Sequence, residues 1–251
     1  MSASLISVIV FACVFGGALA GTALRAILPE HHLSPESKEV VKLSMGLVAT
    51  MSALVLGLLV ASAKSSYDTQ GTEITDLSAK IVLLDRMLEH YGPETKELRA
   101  DVKMVATAMA DHLDPPAQIP GATVAPPTTR GEMPYDLLQA IVPKDESHRM
   151  MKEEIIKMML DLSKERWLMF EQSVGGFEPI LLIIVVSWLA IIFTSFGLYA
   201  KPNGLVTVSL AIAAFTVSTA MFLILEMYSP YGGLIHVSVA PLREAIAHLG
   251  L

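Results

Sequence analysis

Along the chain, long uncharged apolar stretches alternate with segments in which apolar residues recur every third or fourth position. The second of the long stretches organises the reading. Between Lys42 and Lys64 lie about 21 residues without a charge, close to the roughly 20 an α-helix needs to cross hydrocarbon. From Gly46 the stretch reads GLVATMSALVLGLLVASAKSSYD and ends in Lys64 and Asp68. Gly46, Ala49 or Thr50, Ala53, Gly57 and Ala61 form a small-residue stripe at helical spacing, while Leu47, Met51, Leu54, Leu58 and Leu59 fill a bulkier one. Small stripes let helix backbones approach in lipid, so Gly46 and Gly57 are expected at helix contacts.

Three further uncharged stretches have the same length. The first runs from about residue 4 to 24 and contains Gly17-Ala18-Leu19-Ala20-Gly21, which places Gly17 and Gly21 on one close-packing face. A rival reading is a secretory signal with Ala18-Leu19-Ala20 as its cleavage site, but no Lys or Arg precedes the apolar run. The third stretch covers about 179–200 and the fourth about 205–225, separated by the tight turn Lys201-Pro202-Asn203-Gly204. Glu226 stands where the fourth ends, either as a membrane-edge acid in headgroup water or as a functional group with a partner.

Between the second and third spans the pattern becomes amphipathic. Leu77, Ile81, Leu84 and Leu88 mark one helical face, and Leu98, Val102, Val105 and Met109 mark another beyond Gly92-Pro93. Residues 113–134 hold six prolines and few large apolar anchors, which predicts a connector. A long helix from Asp145 to Ser173 follows, with a methionine-rich face that includes Met150, Met151, Met158 and Met159. After Glu226, Tyr228 to Gly233 turns the chain into a short amphipathic helix bearing Leu242, Ile246 and Leu249.

The fold class expected is therefore an all-α membrane protein, with four transmembrane helices and a helical extramembrane domain between the second and third. Residues 1–63 carry the first two spans, 64–177 the helical domain, 178–226 the last two spans and 227–251 a turn and short helix. Composition agrees, with 53% hydrophobic and 17% charged residues and a mean hydropathy of +0.54. Of the 18 basic and 25 acidic residues, 13 and 19 fall within 64–177, so the polar character is concentrated in the domain that meets water. That mixed, net acidic segment gives no support for nucleic-acid binding, which needs a basic patch, and no nucleic-acid partner is expected.

Candidate chemistry is sparse. Cys13 is the single cysteine, and His31 and His32, being adjacent, point in different directions and read as a solvated loop. The sequence shows no histidine pair at metal spacing, no GxSxG, no phosphate-binding glycine loop and no CxxC. No catalytic residue, cofactor or metal is expected, and the chain is read as a non-enzyme. The lysine and arginine count flanking the spans does not decide orientation. The helical domain and both termini are placed on the cytoplasmic side of a bacterial membrane, since disulfides and a convincing signal are lacking.

Four segments carry a family resemblance: ALVLGLLVASAKSSYD from Ala53, LDRMLEHYGPET from Leu84, WLAIIFTSFGLYAKPN from Trp188 and LILEMYSPYGGLIHVSVAPLREA from Leu223. The chain resembles a bacterial family of membrane proteins labelled bestrophin-like, distantly similar to the bestrophin ion channels. Val55 to Val60 is similar to a VLGFYV phrase in the second span of bestrophins. That likeness implies a homo-oligomeric, by analogy pentameric, ion channel in the lipid bilayer, with Thr50, Leu54 and Leu58 at its constriction and Lys64 or Asp68 at its mouth. Leucines replace the aromatic neck rings of bestrophins, and their acidic calcium clasp has no counterpart, so calcium gating is not implied. Anions are the inorganic ions expected, although the bestrophin fold includes conductors of both signs. The alternative is a non-conducting membrane scaffold or sensor whose helical domain binds a partner protein.

Overall fold

The computed structural model describes residues 2–29, 35–114, 133–174, 179–201, 203–228 and 233–250. The described residues form eight α-helices and no strand: α1 Ala3–Ile27, α2 Pro35–Tyr91, α3 Lys96–Leu113, α4 Met133–Ala140, α5 Glu146–Val174, α6 Pro179–Tyr199, α7 Gly204–Met227 and α8 Ala240–His248. Four of them, α1, α2, α6 and α7, are long and apolar enough to cross a membrane. The all-α membrane class follows from the sequence pattern and is what the structure has.

The chain divides into two compact units, Met1–Ser65 with Phe177–Tyr228 and Ser66–Gly176 with Ser229–Leu251. The division falls inside α2, which runs as one helix through Lys64 and Asp68. The expected break after residue 63 is therefore a change of environment along one helix. Nothing in Lys64-Ser65-Ser66-Tyr67-Asp68 stops a helix, because it contains neither proline nor glycine.

In the first unit α1 packs on α6 with almost no side chain between them. A methyl group added at Gly21 would lie 2.0 Å from the Thr194 carbonyl oxygen, and one at Gly197 would lie 2.0 Å from that of Ala18. One at Gly17 would come within 2.8 Å of the Ala190 oxygen. Only glycine permits backbones this close, and dispersion across such contacts holds helices together in lipid. Around them Val10, Val14 and Ala18 of α1, Leu59 and Ala63 of α2, Val185 and Phe193 of α6, and Ala214, Met221 and Ile224 of α7 form one buried cluster.

Polar groups in this unit are satisfied over short range. The Ser218 hydroxyl donates to the Ser7 carbonyl at 2.5 Å, linking α7 to α1, and Thr50, Ser52 and Thr194 donate to carbonyls one turn back in their own helices. Arg25 reaches the carbonyls of Leu198 and Ala200 at 3.4 and 3.3 Å. It thereby occupies acceptors that the end of α6 leaves open. Asn203 caps α7 through the Leu205 amide.

The second unit is built on side-chain packing. Leu77, Ile81, Leu84 and Leu88 are buried against Leu98, Val102 and Ala106 of α3, Leu138 of α4, Ile155 and Met159 of α5, and Leu242 of α8. Gly92 turns the chain between α2 and α3 at φ +129°, a region side-chain-bearing residues avoid. The buried Thr95 hydroxyl lies 2.5 Å from the Leu88 carbonyl oxygen and 2.8 Å from that of Gly92, which closes the turn.

The C-terminal segment belongs to this unit, with α8 packed on α3. Arg243 pairs with Asp111 at 3.3 Å, and Lys103 donates to the Leu249 carbonyl at 2.8 Å. Beneath them Arg99 grips Asp85 through two bonds of 2.7 and 2.8 Å, and the Gly250 amide donates to the same carboxylate at 3.3 Å. Asp85 is 2% exposed, so its charge is tolerated because both oxygens are bonded.

Candidate functional site

The candidate site is one face of the apolar half of α2. Rows of residues three and four apart define the faces of a helix, and the rows in this segment have opposite fates. Ser52, Leu59 and Ala63 are buried in the first unit. Thr50 is exposed, as are Leu54 at 59% and Leu58 at 63%, and the exposed row continues through Leu47 and Met51. The three residues proposed for a constriction thus share a face that is exposed among the described residues.

That face is smooth and uncharged. Thr50 spends its hydroxyl proton on the Gly46 carbonyl at 2.9 Å, which leaves the face without a free donor. A methyl group added at Gly46 or Gly57 would meet nothing within 4 Å. The glycines expected at helix contacts therefore separate into two kinds. Gly17 and Gly21 lie against α6, whereas Gly46 and Gly57 look outward from the chain.

Cations stand beyond both ends of the smooth stretch, Lys42 on one side and Lys64 on the other, each exposed. Asp68, also exposed, lies in the second unit. Glu226 is 5% exposed at the end of α7, beside the buried Ile224 and Leu225. Its side chain is thus buried at the end of the fourth apolar helix. Close by, the Tyr228 hydroxyl donates to Ser62 of α2 at 3.0 Å.

A sequence profile of the bestrophin-like domain matches residues 12–242. The chain belongs to the bestrophin-like family. The match takes in both units of this bestrophin-like protein, including all of α2 and most of the C-terminal segment. Nothing matches among curated proteins or among solved structures.

Cys13 is exposed on α1, and among the described residues no group of three or more His, Cys, Asp or Glu side chains is placed to hold a metal ion. His31 and His32, the prolines between 115 and 132, and Tyr231 lie outside the described residues. Two polar residues that matter to the second unit went unnoticed in the sequence. Asp85 stands four residues after Ile81 and three before Leu88, and Arg166 four after Leu162 and three before Met169. A charge inside an apolar stripe is the signal that would have found both.

Proposed function

We propose that this bestrophin-like protein is a homo-oligomeric ion channel whose pore is lined by the apolar half of α2, with Thr50, Leu54 and Leu58 at the constriction. The observation that carries the reading is the uncovered row of Thr50, Leu54 and Leu58, set against the buried row of Ser52, Leu59 and Ala63. A ring of such faces makes a narrow apolar throat, which closes to ions by dewetting rather than by a plug. Lys42 and Lys64 at the ends of the throat support anions as the conducted species, because rings of basic side chains favour anion entry. Lys64 and Asp68 are assigned to the mouth, on the cytoplasmic side of a bacterial membrane. By family analogy the ring is a pentamer, and no catalytic role enters this reading.

Native mass spectrometry in nanodiscs gives the first test, since a pore between subunits requires a closed ring. A ring of four or more supports the channel, and a monomer or simple dimer that persists in lipid removes it. The second test is flux into liposomes. Leu54→Ala and Leu58→Ala widen the throat and raise flux several-fold, and the pore assignment fails if neither variant exceeds empty liposomes.

The scaffold reading has its own support, because Met150, Leu160, Trp167 and Leu168 of α5 are exposed at 47–60%. Cysteines placed at positions 50, 54 and 58 in a Cys13→Ser background separate the two. Polar thiol reagents modify them in a channel and leave them untouched in a sealed scaffold.

A further inference from the structure

The second unit holds a cavity of about 320 Å³ walled by α2, α3, α4 and α5, a size at the lower end of small-molecule sites. Leu77, Leu84, Val102, Met109 and Met159 supply apolar wall, and the methionines adapt to the shape of what they touch. Polar character comes from Tyr135, Asp136, Ser163 and Arg166.

Arg166 sets the ligand chemistry. It sits on the apolar stripe of α5, half-buried, and makes no hydrogen bond or ion pair among the described residues. Burial pushes its proton affinity below the ordinary value, with no carboxylate close enough to oppose the shift. The guanidinium keeps its proton all the same. A cation partly withdrawn from water without a partner is unfavourable, and an anion in the cavity relieves it. The planar fork suits a carboxylate, which it grips with two parallel bonds. Asp136 lines the same cavity without reaching Arg166. A second negative charge on the occupant would meet it, which restricts the ligand to one anionic group.

We propose that this cavity binds a monocarboxylate with an apolar tail, its carboxylate on Arg166 and its tail along the leucine and methionine wall. The site lies wholly within the second unit and is independent of the channel reading.

The test is equilibrium dialysis of labelled decanoate against the full chain in nanodiscs, with empty nanodiscs of the same lipid subtracted to remove partitioning. Saturable binding of one decanoate per chain is expected, weakened about tenfold to a hundredfold in Arg166→Leu, as loss of a charged hydrogen bond implies. Arg166→Lys recovers part of the affinity. The uncharged decanol shows no saturable binding. Ser163→Phe adds bulk at an exposed lining position and blocks binding as well, which keeps the test decisive if Arg166→Leu fails to fold. A series from hexanoate to palmitate separates a small soluble acid from a fatty acid of membrane origin. Equal affinity in the wild type, Arg166→Leu and Ser163→Phe overturns the proposal. So does an absence of saturable binding to the wild type.

Discussion

In the first unit, Gly21 and Gly197 bring α1 and α6 so close that a single added methyl group would overlap a backbone carbonyl. In the second, α2 and α3 are held apart by leucines and valines that fill the space between them, and a buried Asp85–Arg99 pair ties the turn and the C-terminal segment together. The difference follows from solvent. Apolar side chains gain little by leaving lipid for a protein interior, so helices there associate through close backbone packing and short hydrogen bonds. In water, burying leucine is itself the driving force, worth about 1.5–3 kcal/mol for each side chain. One helix, α2, takes part in both kinds of packing, and its composition changes at Lys64 accordingly.

The sharpest way to break the comparison is to give the first unit a side chain where it uses none. Gly21→Val and Gly197→Val drive a branched side chain into the facing backbone, and each is expected to cost more than about 4 kcal/mol. The loss appears as aggregation on size exclusion and as missing folded protein in membranes. Survival of either variant at wild-type yield would show that the α1–α6 contact is looser than drawn.

The second unit should instead be most sensitive at its buried charge. Asp85→Ala leaves Arg99 and the Gly250 amide without their acceptor, and roughly 3 kcal/mol of stability is expected to go. Limited proteolysis with mapped cut sites reads this out as early cleavage within 66–114 and 233–250, while α1, α6 and α7 stay protected.

Acid should act on the same point. The Arg99 guanidinium, and after it the Gly250 amide, hold the Asp85 carboxyl below its usual range against the opposing effect of burial. A lowered carboxyl contributes stability that is fully present above its unfolded value of about 3.9 and is lost as pH falls through its lower folded value. The second unit is therefore expected to loosen below about pH 4. Asp85→Asn should flatten that acid dependence, which a pH series of thermal melts would check.

Gly92→Ala has a smaller expected cost, about 2 kcal/mol, because φ +129° with ψ −176° is backbone that only glycine adopts readily and the methyl group would crowd the Glu94 carboxylate, which pairs with Lys144. The smallest effect is the most informative. Gly46→Ala and Gly57→Ala should stabilise the single chain slightly, by about 0.5–1 kcal/mol, since open space surrounds both and alanine suits a helix interior better than glycine. If either nonetheless changes the subunit number in native mass spectra, a neighbouring chain sits on that face.

Gly17 with Gly21, and Gly46 with Gly57, show where sequence reading reaches its limit. Both pairs stand at helical spacing and both predict smooth faces, yet α6 covers one and, among the described residues, nothing lies within 4 Å of the other. A small residue reports that a close approach is possible, and carries no information about what approaches. Asp85 is similar. Its place within an apolar stripe marks it as buried, but its partner Arg99 becomes visible only once Gly92 folds α3 back along α2.

The sequence by itself determined the four apolar helices, the amphipathic faces of the helical unit and the turn at Gly92-Pro93, because each depends on residues within a few turns of one another. Only the tertiary structure decided that Gly17 and Gly21 meet α6, that α8 returns to α3, and that Arg166 lines a cavity with Met109 and Tyr135. Those facts join residues more than a hundred positions apart, or depend on the space left between helices. Helical periodicity says which way a side chain points and nothing about what stands opposite it.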